Sequence, residues 1–327
     1  MSNTAIKQPI SYLTQADNQT VYVQNKESNF VSAVLYLHND STRASVFLHM
    51  LNDALSANFI SYEIICVDDA CTDDTISAVK KAAEKSVTRI IHMSYYQGLE
   101  TAMNAGMDLA IGDFLFEFDS TVMDYESGLI MEVYRKSLTG YDIVSASPAE
   151  KGRFTSRLFY TVFNRYARLQ YTLRNETFRI LSRRVINRVQ DMSRNIPYRK
   201  VAYANSGLKI SNMSYKSTNY IRTKKDSAER LELAANSLVL FTNLGYVMAI
   251  WLTVFMLLCT LGAGVYTVCI YYSASPVPGW TTTMLLLSIG FFCLFAILTI
   301  VIKYLSIMTK LIFARQKYVI EDIEKLS

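Results

Sequence analysis

The sequence predicts an α/β domain with a mainly parallel sheet flanked by helices, followed by a two-helix C-terminal transmembrane hairpin. Three observations predict it. Short apolar, β-branched runs alternate with helical patterns through the first third of the chain, as βαβ units do. Acidic residues recur where those runs end, at Asp40, at Asp68 and Asp69, and at Asp119. No Asp, Glu, Lys or Arg occurs between Glu232 and Lys303, a gap foreign to an ordinary soluble core.

The elements follow in order. Residues 30–37 read as a strand and 41–57 as an amphipathic helix. Residues 64–67 are a buried strand running into Asp68 and Asp69, with Thr72 or Asp73 capping a helix over 73–85. Residues 88–92 form the next strand, 99–110 a helix, and 114–118 a strand that ends on Asp119. In such a sheet the strands' C-terminal ends share one rim, the edge where ligands dock. Asn39 with Asp40, Asp68 with Asp69, and Asp119 then line one cleft. Carboxylates there suit hydrogen-bond donors, a ribose diol or a base N–H, better than bare phosphates. A capped turn with solvated acids explains the Asp68–Asp69 pair equally well by itself; the convergence of three strand ends favours the cleft.

The charge-free gap divides into apolar runs at 245–272 and 281–302, each long enough to cross a hydrocarbon core of ~30 Å. The connector 273–280 is short and rich in Pro and Gly, and Tyr271, Tyr272 and Trp280 stand where aromatic belts form. Arg222, Lys224, Lys225 and Arg230 precede the hairpin and Lys303, Lys310, Arg315 and Lys317 follow it, whereas the connector has no positive charge. The positive-inside rule places both termini in the cytoplasm. The expected organisation is a mobile, polar lead over 1–27 with no signal-peptide core, a cytoplasmic domain over 28–226, and an interfacial amphipathic helix over 227–244. The two spans come next, then a basic cytoplasmic tail over 303–327. A net charge of +5 concentrated near the membrane fits anionic lipid headgroups rather than nucleic acid. Five cysteines without a CxxC pair and three scattered histidines argue against a disulfide framework or a zinc site.

Residues 153–171 place Phe154, Leu158, Phe159, Val162, Phe163, Tyr166 and Leu169 at helical spacing, interleaved with Arg157, Arg165 and Arg168. Two readings are equally open: a helix packed on the sheet, or an interfacial helix whose arginines grip phosphate. Arg153, Arg157 and Arg179 are the candidate acceptor-phosphate contacts; Arg183 and Arg184 serve equally as surface charges.

Four landmarks in order resemble the family-two glycosyltransferases of GT-A fold, in particular the polyprenyl-phosphate sugar transferase and dolichyl-phosphate mannose synthase group. Residues 31–40 resemble the opening strand, with Tyr36, His38 and Asp40 replacing Pro, Tyr and Glu. Residues 67–75 resemble the Asp-Asp-Gly-Ser-x-Asp-x-Thr segment, with Ala70 and Cys71 in place of Gly and Ser. Gln97, Gly98, Ala102, Gly106 and residues 110–113 follow the third landmark, and residues 177–183 resemble Asp-Phe-Arg-Leu-x-x-Arg. The resemblance implies a nucleotide-diphosphate sugar held by Asp40, Asp68, Asp69 and Gly98, and a polyprenyl phosphate acceptor. It implies inverting transfer assisted by Mg²⁺ or Mn²⁺ on Asp119, with Asp124 as a second catalytic acid. UDP is favoured over GDP, because a carboxylate reading a base N–H fits uracil. The implied setting is the inner membrane and cell-envelope glycan synthesis; two spans leave little surface to bury, which favours a homo-oligomer. The chain departs from the pattern at the metal motif, where Thr121 replaces the second acid, Met123 a Gln and Tyr125 a Pro. A transferase-like module that has lost catalysis and binds nucleotide sugar or lipid, and a docking subunit of a membrane assembly, are the other readings. Thr121→Asp is expected to enhance metal-dependent turnover only if Asp119 addresses a diphosphate.

Overall fold

The computed structural model describes residues 26–83, 88–149, 160–165, 171–192, 198–218, individual positions between 251 and 308, and 318–326. Strands β1 (Val31–Leu37), β2 (Tyr62–Asp68), β3 (Thr88–Met93) and β4 (Phe114–Phe118) alternate with helices α1 (Ser41–Asn58), α2 (Thr75–Ala82) and α3 (Leu99–Leu109). Then come α4 (Gly128–Leu138), β5 (Ile143–Pro148), β6 (Phe178–Ser182), α5 (Arg183–Met192), α6 (Arg199–Asn205), β7 (Ile210–Tyr215) and β8 (Ile320–Leu326). One sheet of order β7-β5-β6-β4-β1-β2-β3-β8 contains all eight strands. Its centre, β4-β1-β2-β3, is parallel; β6 and β8 run antiparallel to their neighbours.

Period-two alternation sends side chains to both faces of this sheet. Val31, Ala33, Leu35 and Leu37 of β1 join one core with Phe47, Leu48 and Leu51 of α1, Val79 of α2 and Ile130 and Val133 of α4. Val34 of β1 joins the other with Ala102 and Met103 of α3, Val185 and Ile186 of α5 and Tyr203 of α6. Two-sided burial is why β1 and β2 read as continuous apolar runs. The site-bearing helix α3 approaches closely because Gly106 lacks a side chain: an added Cβ would lie 2.4 Å from Val34 Cγ1 and 2.9 Å from Val67 Cγ2.

The structure revises several expectations. Helix α2 begins at Thr75, two residues later than expected, because the Asp73 carboxylate accepts the Thr75 N–H at 3.0 Å. Glu27, assigned to a mobile lead, is anchored: it pairs with Phe59, and its carbonyl accepts the Ile60 N–H at 3.0 Å. The last residues are not a basic tail throughout, since β8 carries Glu321, Asp322 and Glu324 against Lys325 and pairs with β3. Within 153–171, residues 160–165 are helical, and Phe163 is buried against Leu173, Tyr198, Val201 and Ala204, which favours the packed reading for that turn. Arg183 is no surface charge: its Nε donates to the Gly112 carbonyl at 3.0 Å and its Nη2 to that of Ala110 at 2.9 Å. Arg184 pairs with Asp142 at 2.6 Å on the exposed side. Among the described residues no helix is long and apolar enough to cross a membrane; most of 245–272, part of 281–302, all of 227–244, and both Arg153 and Arg157 lie outside them.

Candidate functional site

The tips of β2, β1 and β4 are adjacent in the sheet, so Asp68, Asp69, Asp40 and Asp119 meet on one rim, as the sequence pattern requires. Side-chain hydrogen bonds fix the loops that carry them. The Asn39 Oδ1 accepts the Thr72 N–H at 2.8 Å, tying the β1 loop to the β2 loop, and the Asp40 N–H donates to Thr75 Oγ1 at 2.7 Å. The Asp68 carboxylate accepts the Cys71 N–H at 2.8 Å and faces His92 Nδ1 at 2.8 Å. Ala70, between them, has φ +53, a left-handed conformation that costs an L-residue roughly 1–2 kcal/mol. That explains physically why the resembled pattern carries Gly here. Ala70→Gly should leave nucleotide affinity intact and raise stability by about 1 kcal/mol once the added unfolded-chain entropy is subtracted; a higher thermal unfolding midpoint checks it.

Asp69 plays a different part from the one its position suggests. It is fully buried, and its oxygens accept the Gln97 N–H at 2.8 Å, the Gly98 N–H at 2.9 Å and the Tyr36 hydroxyl at 3.0 Å. Burial pushes its carboxyl up, while those three donors pull in the opposite direction. The carboxylate is committed to the loop leading into α3, whose Gly98 adopts φ +83. Asp69 therefore fixes the backbone of Gln97 and Gly98 at the start of α3.

Asp40 is also largely spent inside the protein. Its carboxylate accepts from Arg43 Nε at 2.8 Å and from the Thr121 hydroxyl, which is itself buried. Thr121 is thus a support for Asp40 rather than a vacant metal position. This reverses the expectation for Thr121→Asp: a second carboxylate would sit against Asp40, and like charges at contact distance disfavour each other's ionised form. The variant should lower stability and nucleotide affinity together and leave metal-dependent turnover no higher than wild type, as thermal unfolding, nucleotide titration and an activity assay would show.

Below Asp119 lies a buried ionic cluster. Arg179 Nη2 donates to Asp119 Oδ2 at 2.9 Å, and Arg199 Nη2 donates to Oδ1 at 2.8 Å. The same two guanidiniums donate to Glu117, at 2.8 Å from Arg179 and 2.7 Å from Arg199, and Glu117 also accepts the Tyr203 hydroxyl at 2.8 Å. Glu100 of α3 accepts from Arg199 Nε at 3.0 Å, and Glu176 lies 3.2 Å from Arg179 Nε. Burial works against the Asp119 charge, but Arg179 and Arg199 outweigh it and hold the carboxyl well below its usual range. Lys200 adjoins the cluster; burial opposes its charge too, yet Tyr160 and Glu176 keep the ammonium protonated. Arg179, at 1% side-chain exposure and gripped by three acids, does not present its guanidinium to an acceptor phosphate; it orients Asp119.

Asp124 stands apart from this cluster. Its carboxylate accepts from Tyr215 at 2.7 Å and Ser217 at 3.3 Å, joining the loop after β4 to the end of β7. Arg199, Glu117, Glu100 and Lys200 were missed in the sequence. The available signal was Glu117 itself, a carboxylate inside the aromatic strand Phe-Leu-Phe-Glu-Phe, which a buried strand tolerates only with cationic partners.

Among the described residues no group of three or more His, Cys, Asp or Glu side chains forms a ready metal cage. Asp119 nonetheless fits a cation shared with a ligand. It is ionised, its side chain is 16% exposed, and each oxygen accepts one arginine N–H, which leaves acceptor capacity on both. Mg²⁺ binds in that manner, through one or two carboxylates plus substrate phosphates.

A mainly parallel sheet covered on both faces, with acids at the tips of β1, β2 and β4, is the architecture of a GT-A-type domain. Residues 32–190 match the family model described as Glycosyl transferase family 2, and the domain belongs to that family. An uncharacterized glycosyltransferase of Synechocystis sp. is 28% identical over 181 residues, 53% of this chain and 57% of its own length. A prophage bactoprenol glucosyl transferase homolog of Escherichia coli is 24% identical over 170 residues, 50% of this chain and 55% of that protein. The chain therefore spans little more than half the length of these relatives. A mannosyltransferase of Pyrobaculum calidifontis, solved in complex with GDP-Man and Mn²⁺, shares the fold, with a TM-score of 0.50 at 13% identity over 89% of each chain.

Proposed function

We propose that the chain is a membrane-bound inverting glycosyltransferase that moves a sugar from a nucleotide-diphosphate sugar, UDP in preference to GDP, to a polyprenyl phosphate for cell-envelope glycan synthesis. The observation that carries this reading is Asp119, ionised and held by two buried arginines on a rim shared with Asp68. The prophage bactoprenol glucosyl transferase homolog among the relatives supports the acceptor class.

The chemistry asks for positioning more than for a base. A phosphate monoester is already an anionic nucleophile near neutral pH, so attack on the anomeric carbon needs orientation and relief of charge on the departing diphosphate. Mg²⁺ or Mn²⁺, held by Asp119 and the donor phosphates, would supply that relief when bound. Asp68 offers its carboxylate to the base or ribose, and Asp69 with Gly98 sets the wall beside it. Lys200 adds a fixed positive charge beside Asp119. Arg153 and Arg157 are the candidate grips on the acceptor phosphate.

Two features support the membrane setting. Trp251, Phe255 and Leu258 recur at helical spacing, as do Leu287, Leu294, Leu298, Val301, Leu305 and Met308; all are helical and 45–69% exposed, as residues facing lipid are. β8 returns to pair with β3, so an apolar segment inserted before it must cross an even number of times, which fits a hairpin with both ends on the domain's side.

The test uses the purified full chain in detergent with a panel of UDP- and GDP-sugars and undecaprenyl phosphate. Nucleoside diphosphate release should require the lipid phosphate, and excess chelator should suppress it. Nucleotide-sugar binding with no release from any donor would instead identify a catalytically silent binding module. Specific support for that second reading is Thr121, which is given over to Asp40.

A further inference from the structure

The final strand of the chain reaches back to the residues that hold the donor-side carboxylates. The Gln97 side chain forms a two-point amide pair with Val319: its Nε2 donates to the Val319 carbonyl at 2.6 Å, and its Oε1 accepts the Val319 N–H at 3.0 Å. The Ser94 N–H donates to the same carbonyl at 3.2 Å. Gln97 is also one of the two residues whose backbone N–H groups Asp69 accepts. The loop between β3 and α3 is thus held from inside by Asp69 and from outside by the lead into β8.

The other carboxylate is reached through a histidine. His92 Nδ1 lies 2.8 Å from Asp68 Oδ2, and His92 Nε2 lies 3.5 Å from Glu324 Oε2. The second distance is long for a hydrogen bond, so Glu324 acts on the ring mainly by charge. Glu324 is fixed in turn by Lys80 of α2 at 2.7 Å. Tyr318 completes the attachment by donating to Asp108 of α3 at 2.9 Å.

We infer that β8 and its lead-in are a positioning element of the donor site: Val319, through Gln97, sets the loop that Asp69 holds, and Glu324, through His92, sets Asp68. This rests on the reading of Asp68 as a donor contact. Donor affinity then depends on the segment that follows the apolar hairpin, so a chain whose tail is displaced loses grip on the nucleotide while its catalytic cluster stays intact. An edge strand that served only to cover β3 would need neither the amide pair nor the Glu324–His92–Asp68 series.

The test measures nucleoside diphosphate affinity by calorimetry on the full chain in lipid nanodiscs, with donor KM and kcat followed in parallel. Gln97→Leu, which removes both amide bonds at similar volume, should weaken the nucleotide about tenfold, and Gln97→Glu, which keeps the acceptor for Val319, should recover part of it. Glu324→Gln should weaken it a few-fold, and that effect should vanish when Asp68 is already alanine, because the two act in series. Donor KM should rise while kcat falls far less. Unchanged nucleotide affinity in Gln97→Leu and in Glu324→Gln, with wild-type binding intact, would overturn the proposal. Equal losses in kcat, lipid-acceptor KM and thermal midpoint would overturn it too, as the signature of a merely structural strand. A wild-type chain that binds no nucleoside diphosphate would sink the underlying functional reading instead.

Discussion

Arg199→Met is expected to cost the domain about 3–5 kcal/mol, as removal of one partner from a buried ion network does. The reason is the company Arg199 keeps. It is fully buried and donates to Glu100, Glu117 and Asp119 from three different nitrogens. Glu117 is itself fully buried, so losing this partner leaves it on Arg179 and the Tyr203 hydroxyl alone. Against a total stability of roughly 5–15 kcal/mol, such a loss brings unfolding close to ambient conditions. Arg199→Lys should recover little, since an ammonium cannot reproduce a planar fork that addresses three acids at once. Denaturant titration of both variants checks this; a midpoint within error of wild type for either would show the cluster to be dispensable.

Asp119→Asn separates catalysis from stability at the same place. Arg179 and Arg199 keep Glu117, Glu176 and Glu100 as partners, so the domain should fold, at a moderate cost. Turnover should fall on the order of 10²–10³-fold, the scale of losing one preorganised electrostatic contribution, here the carboxylate that would hold a cation at the departing diphosphate. The stability cost carries a pH signature. The folded-state pKa of Asp119 is depressed by Arg179 and Arg199 against the pull of burial. Its stabilisation is therefore complete above the unfolded value of about 3.9 and is lost as pH falls below it. The gap between wild type and Asp119→Asn should be constant from neutral pH down to about pH 5 and close in stronger acid. Denaturant midpoints measured across that range, alongside kcat at neutral pH, check both halves.

The sheet's centre was legible because buried parallel strands announce themselves. Residues 114–118 are β4 as expected, and the strands expected at 30–37, 64–67 and 88–92 differ from β1, β2 and β3 only at their ends. The rim followed from strand polarity, which is why Asp40, Asp68, Asp69 and Asp119 could be placed together. What a side chain does at the rim was not legible. Asp69 and Arg179 looked like ligand contacts by type and position, yet both turn inward, Asp69 to a loop and Arg179 to Asp119. Thr121 read as a missing acid and is a donor to Asp40. Arg199 was invisible because its three acids lie far from it in sequence, on α3, on β4 and just beyond β4. β8 was hidden for the same reason, its partner β3 lying before the whole apolar segment and its own residues being mostly charged.

Transfer to a lipid phosphate is read without intermediary from its product. Membranes containing the full chain would be incubated with a sugar-labelled nucleotide donor and undecaprenyl phosphate, and the lipids then extracted into organic solvent. Label should enter the organic phase as an acid-labile sugar phosphate, with the anomeric configuration opposite to the donor's and with none formed by Asp119→Asn. Nucleoside diphosphate release with all label left in the aqueous phase would contradict it.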